Sequence, residues 1–95
     1  MLLHILNRAP DTPACRQALS AMGPADRLLL IEDGVFGALA AQRAVFAGVE
    51  GRLYALQEDL EARGLLGRHA DGIQVVDVEG FVALTETCER AVSWY

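Results

Sequence analysis

Apolar positions along the chain follow two rhythms. Short runs with little alternation are separated by longer segments in which apolar residues recur every three or four positions. This succession of strand-like and helix-like segments predicts an α/β layer fold with a mainly parallel sheet. The first strand is expected over Leu2–Leu6, closed by Asn7-Arg8-Ala9-Pro10, where a proline cannot continue a central ladder. Asp11 or Thr12 then caps a helix that Pro13 opens, with Cys15, Ala18, Leu19 and Met22 on one face and Gly23-Pro24 as its stop. Arg27–Ile31 is the second strand. Its run Leu28-Leu29-Leu30-Ile31 shows no alternation, so it is expected to be buried on both faces, near the sheet centre.

Beyond Asp33-Gly34, the Ala-rich and Pro-free stretch Val35–Phe46 predicts a helix ended near Gly48. Leu53–Leu56 is the third strand, and Glu58–Arg63 a short helix with an acidic start, a basic end and a stop at Gly64. Ile73–Val76 is the fourth strand. Gly80–Arg90 sets Phe81, Leu84 and Cys88 on one helical face, and Val92-Ser93-Trp94-Tyr95 adds a fifth short strand or an apolar tail. The expected architecture is one three-layer α/β/α domain over residues 1–95, with four to five strands.

Composition narrows the function classes. At 53% apolar and 22% charged residues, the chain is far from the signature of disorder. Eight basic residues against thirteen acidic ones leave a net charge of −5, which disfavours direct nucleic-acid binding. All the basic residues are Arg, and that excludes Schiff-base or P-loop chemistry, both of which need Lys. Cys15 and Cys88 form neither a CxxC pair nor a zinc pattern, so free thiols in a reducing cytoplasm are expected. No export signal is apparent, and no apolar run approaches the roughly 20 residues that cross a bilayer, so no membrane role is expected.

Several residues could carry chemistry. Glu32-Asp33-Gly34 follows a central parallel strand, the edge at which ligands and partners gather in α/β sheets. Asp33 either caps the next helix, with Gly34 permitting the turn, or the acidic pair meets a partner. Cys15 is the sole credible nucleophile, because a helix N-terminus favours the thiolate; the competing role is a small core residue, as for Cys88. His4 and His69 stand too far from other ligand types to suggest a metal, and no Gly-rich fingerprint suggests a nucleotide cofactor. Trp94 and Tyr95 end a chain poor in aromatics, docked either on their own domain or on another subunit.

Four blocks in this order carry a family resemblance: Leu3-His4 with Asn7-Arg8-Ala9-Pro10; Leu28 through Val35, containing Glu32-Asp33-Gly34; Tyr54 through Leu65, containing Glu58-Asp59-Leu60-Glu61-Ala62-Arg63-Gly64; and Val75-Val76-Asp77 with Phe81 through Thr85 and the terminal Trp94. Nearly end to end, the sequence resembles the DsrH/TusB family of small sulfur-relay subunits. The resemblance implies a DsrE/F/H-like fold and a heterohexamer with two related sister subunits, of TusC/TusD or DsrF/DsrE type. In such complexes persulfide sulfur passes between cysteines, and the principal acceptor lies on a sister chain. One branch supports 2-thiolation of a tRNA wobble uridine and the other serves sulfur oxidation. Where the sulfur-oxidising branch has a cysteine on the first helix, this chain has Ala18, with Cys15 one turn earlier. That departure points to the tRNA branch and an assembly role; the alternative is a persulfide carried on Cys15 itself.

Overall fold

Leu28, Leu29 and Leu30 are each fully buried, which requires cover on both faces of the strand that holds them. In the computed structural model, which describes residues 1–95, this strand is β2 (Arg27–Leu30), the middle of a five-stranded sheet. The others are β1 (Leu2–Leu6), β3 (Leu53–Leu56), β4 (Gln74–Val76) and β5 (Arg90–Trp94), in the order β4-β3-β2-β1-β5. Every pairing is parallel. The helices are α1 (Pro13–Ala21), α2 (Gln57–Ala62) and α3 (Val78–Thr87). No helix is long and apolar enough to cross a membrane.

Strand order decides which face each connection covers. From β1 to β4 the chain steps in one direction across the sheet, and right-handed crossovers place all those connections on one face. The return from β4 to β5 runs the other way, so α3 lies on the opposite face. The buried clusters agree with this. Thirteen residues, among them Leu6, Cys15, Leu28, Leu30, Val35 and Leu60, fill the face under α1 and α2, whereas six, including Leu3, Leu29, Leu84 and Cys88, fill the face under α3.

The strands, α1 and α2 lie within one or two residues of their expected bounds. The last helix starts two residues before its expected start, because the Asp77 side chain accepts a hydrogen bond from the Gly80 N–H at 2.8 Å and caps it.

One expected element is absent. Val35–Phe46 is not an α-helix: it runs through 3-10 turns at Glu32–Ala38 and Ala40–Gln42 and then a plain turn, and a third 3-10 turn, Ala47–Val49, follows it. Tertiary contacts override the local propensity. The Gly34 N–H donates to the Ile31 carbonyl at 2.8 Å, which starts the segment as a tight turn. Leu39 then swings to an extended conformation, ψ 147, where it bridges His69, and the Ala70 N–H reaches the Ala38 carbonyl at 2.8 Å.

Candidate functional site

The carboxyl ends of the strands form the edge at which α/β sheets present their functional groups. At the end of β2, Glu32 takes a left-handed backbone, φ 49, which costs a non-glycine residue about 1 kcal/mol or more. The Asp59 carboxylate holds it there by accepting the Glu32 N–H at 2.6 Å. Asp33 does not cap a helix. The turn it lies in begins at Ile31 with no side-chain cap, and Asp33 instead accepts from Arg63 Nε at 3.2 Å and Nη2 at 3.0 Å. Arg63 also lies 3.9 Å from Asp59. The Glu-Asp-Gly block and the Glu-Asp-Leu-x-Ala-Arg-Gly block, distant in sequence, are thus one structural corner.

Gly34 is required by space. A Cβ there would run into the carbonyl oxygen of Leu6, at the end of β1, so only glycine lets the corner seat on its neighbouring strand. Glu32 and Asp33 remain exposed. Glu58 and Asp77, at the ends of β3 and β4, extend the negative rim, with Arg63 the base inside it. Such a rim repels phosphate and favours a basic or hydrogen-bond-donating partner.

The other half of the edge belongs to β1 and β5. The Asn7 N–H donates to the Trp94 carbonyl at 3.5 Å, and Tyr95 follows it into solvent at 80% exposure. A shallow cleft of about 300 Å³ separates Tyr95 from Arg8 and the start of α1. Since β1 alone intervenes between β2 and β5, strand spacing sets the acidic corner about 10 Å from this tail. From the sequence the two are separate candidate contacts; the fold puts them on one edge.

Trp94 itself packs inward, against the larger buried cluster. Its indole N–H donates to His4 Nδ1 at 3.1 Å, and the two rings stack with centroids 6.1 Å apart. An indole can only donate, so in the neutral imidazole the proton sits on Nε2, which meets Asp26 Oδ2 at 2.9 Å. Asp26 also accepts from the Gly23 and Leu2 N–H groups, each at 2.9 Å. These bonds, that from Gly23 foremost, lower its carboxyl to about 2. Sequence reasoning missed this network. Its one local signal is a histidine inside the apolar run Leu2–Leu6, which must find polar partners when buried.

Cys15 occupies the first turn of α1, where its N–H donates weakly to Thr12 Oγ1 at 3.4 Å. The side chain is wholly buried among Leu6, Leu28 and Val35. Desolvation raises the thiol pKa, and the nearby Arg16 opposes this only in part. As folded, the thiol is neither presented to solvent nor poised as a thiolate. Cys88 is likewise buried, beside Leu84 and Phe81.

With this geometry in hand, comparison with known proteins is specific. The family described as DsrH like protein matches residues 10–91. A protein of Serratia proteamaculans named TusB is 43% identical over 98 residues, covering 98% of this chain and all of that protein. An Escherichia coli protein of the same name is 36% identical over 95 residues with equal coverage. Among solved structures, the ychN protein of E. coli superposes with a TM-score of 0.78 over 97% of both chains at 15% identity. Protein Tm0979 of Thermotoga maritima gives 0.69 at 24% identity over 92% of this chain and 93% of its own. At those identities the two structures attest the fold.

Proposed function

The chain belongs to the DsrH family, and from that membership we propose that it is a non-catalytic assembly subunit of a sulfur-relay complex supporting tRNA wobble-uridine 2-thiolation. The supporting observation is the end-to-end likeness to proteins named TusB, at 43% and 36% identity. The geometry adds a reason for the assembly role. Sulfur handed on as a persulfide needs an accessible thiolate, and both cysteines of this chain are buried. The acceptor therefore belongs to a sister subunit, and this chain's contribution is to shape and hold the complex. Two unpaired cysteines suit a reducing cytoplasm.

In this reading two sister subunits of related fold join the chain in a heterohexamer. They meet it along the carboxyl edge, at the corner of Glu32 and Asp33 that the buried Gly34 seats on β1, and at the tail ended by Trp94 and Tyr95. Tyr95 supplies exposed aromatic area, Trp94 fixes the strand that presents it, and the acidic corner sets orientation. The tRNA contacts another subunit, because the acidic rim is unsuited to phosphate.

Co-expression with the two sister subunits followed by sizing tests the assembly; a chain that stays monomeric in their presence overturns it. Incubating the assembled complex with a persulfide donor and locating the added sulfur by mass spectrometry tests the division of labour. The adduct is expected on a sister subunit, and an adduct on Cys15 makes this chain a carrier instead.

A further inference from the structure

At the opposite, amino-terminal end of β3 and β4 lies a cavity of about 500 Å³, within the ~300–1,000 Å³ range of small-molecule sites. Its floor is apolar, from Phe46, Leu53 and Ile73, the first two buried to 3% exposure. Its rim carries Arg43 with Glu50 and Asp71, and none of these three takes part in the chain's ion pairs. Two features keep the cavity formed. Gly37 lies so close to Phe46 that a Cβ would come within 2.8 Å of its ring, and Gly51 and Gly72 turn the chain at φ 77 and φ 88 on the cavity wall. The roof, from Gly37, Leu39 and Arg43, belongs to the Ala-rich stretch that forgoes the helix its composition favours. Such a conflict between local preference and final structure is where functional constraint is to be sought.

The rim chemistry selects the ligand class. Two carboxylates against one guanidinium disfavour a phosphate-bearing molecule, while a group that is cationic at one end and anionic at the other satisfies all three side chains. We propose that this cavity binds a small zwitterion with an apolar body, of the size of a large hydrophobic α-amino acid. Its ammonium faces Glu50 and Asp71, its carboxylate faces Arg43, and its side chain lies on Phe46, Leu53 and Ile73. The site opens at the other end of β3 from the acidic corner, and binding by the chain alone does not depend on the sulfur-relay reading, on which only the arm with sister subunits rests.

The test is an amide chemical-shift titration of the full chain, alone and co-purified with its sister subunits. The probes are L-phenylalanine, phenethylamine, which lacks the carboxylate, and hydrocinnamate, which lacks the ammonium. Phenylalanine is expected to give saturable shifts centred on Gly51, Gly72 and Ile73 in both preparations. Phenethylamine should bind about threefold more weakly and hydrocinnamate about tenfold more weakly, as fits one and two partly exposed charge contacts. Glu50→Gln and Asp71→Asn alter exposed side chains and leave the fold intact, and each should weaken phenylalanine by about threefold. Absence of saturable shifts, shifts centred elsewhere, or hydrocinnamate binding as tightly as phenylalanine overturns the proposal. So does loss of binding once the sister subunits are present, which would make the cavity a protein contact.

Discussion

The two faces of the sheet are built to different standards. On one, α1, α2 and the 3-10 turns between β2 and β3 enclose the larger cluster and the polar network His4, Asp26 and Trp94. On the other, α3 is the only helix over a cluster of six buried residues, and its Val78 and Val82 remain half exposed. The difference follows from the route of the chain, since three crossovers in one direction and a single return cannot cover both faces equally. It teaches that stability and site geometry reside on the thick face, while the thin face is the one a mutation perturbs most locally.

The largest effect that separates the faces is a pair of truncations. Leu30→Ala on the thick side should cost about 4 kcal/mol, and Leu84→Ala on the thin side about 2 kcal/mol, because the fully enclosed site cannot collapse around the missing methyls. Urea unfolding of both variants checks this, and equal losses would mean that the two faces are packed alike. Next comes Gly34→Ala, whose methyl must push the corner off the Leu6 carbonyl; a loss of about 3 kcal/mol is expected in the same measurement.

The polar network gives the thick face a dependence on pH. The Asp26 carboxyl sits at about 2 in the folded chain, against about 3.9 for a free side chain. A carboxyl lowered on folding stabilises above its unfolded value and loses that contribution as pH falls through the folded one. About 2 kcal/mol should therefore be present above pH ~4 and disappear toward pH ~2. Asp26→Asn should flatten that part of the wild-type pH–stability profile. The smallest effect is Trp94→Phe, which keeps an aromatic ring but leaves His4 Nδ1 without a donor. A loss of about 1 kcal/mol is expected, with faster hydrogen exchange in β5 than in β2.

Much of the fold was legible because it is written in local patterns. The unbroken run Leu28–Leu30 marked a central strand, and Pro13 and Gly23 marked the limits of α1. The carboxyl-edge location of Glu32, Asp33 and Gly34 followed from the same strand. Their roles did not. Asp33 resembled a helix cap until its true partner Arg63, thirty positions on, came into reach. Cys15 at a helix N-terminus suggested a reactive thiol, but its side chain faces the core and desolvation outweighs the charge of Arg16.

By itself, then, the order of residues determined the strands, α1 and α2, the α/β class and the family. The elements depend on neighbours within a turn or a strand length, and the family on the order of short blocks along the chain. Tertiary structure alone decided that Val35–Phe46 forgoes its helix, that Leu39 pairs with His69, and that His4 joins Asp26 and Trp94. It also decided that the acidic corner and the aromatic tail share one edge. Each of these depends on groups brought together from distant parts of the chain, and their contact energy exceeds the fraction of a kcal/mol per residue by which local propensity speaks.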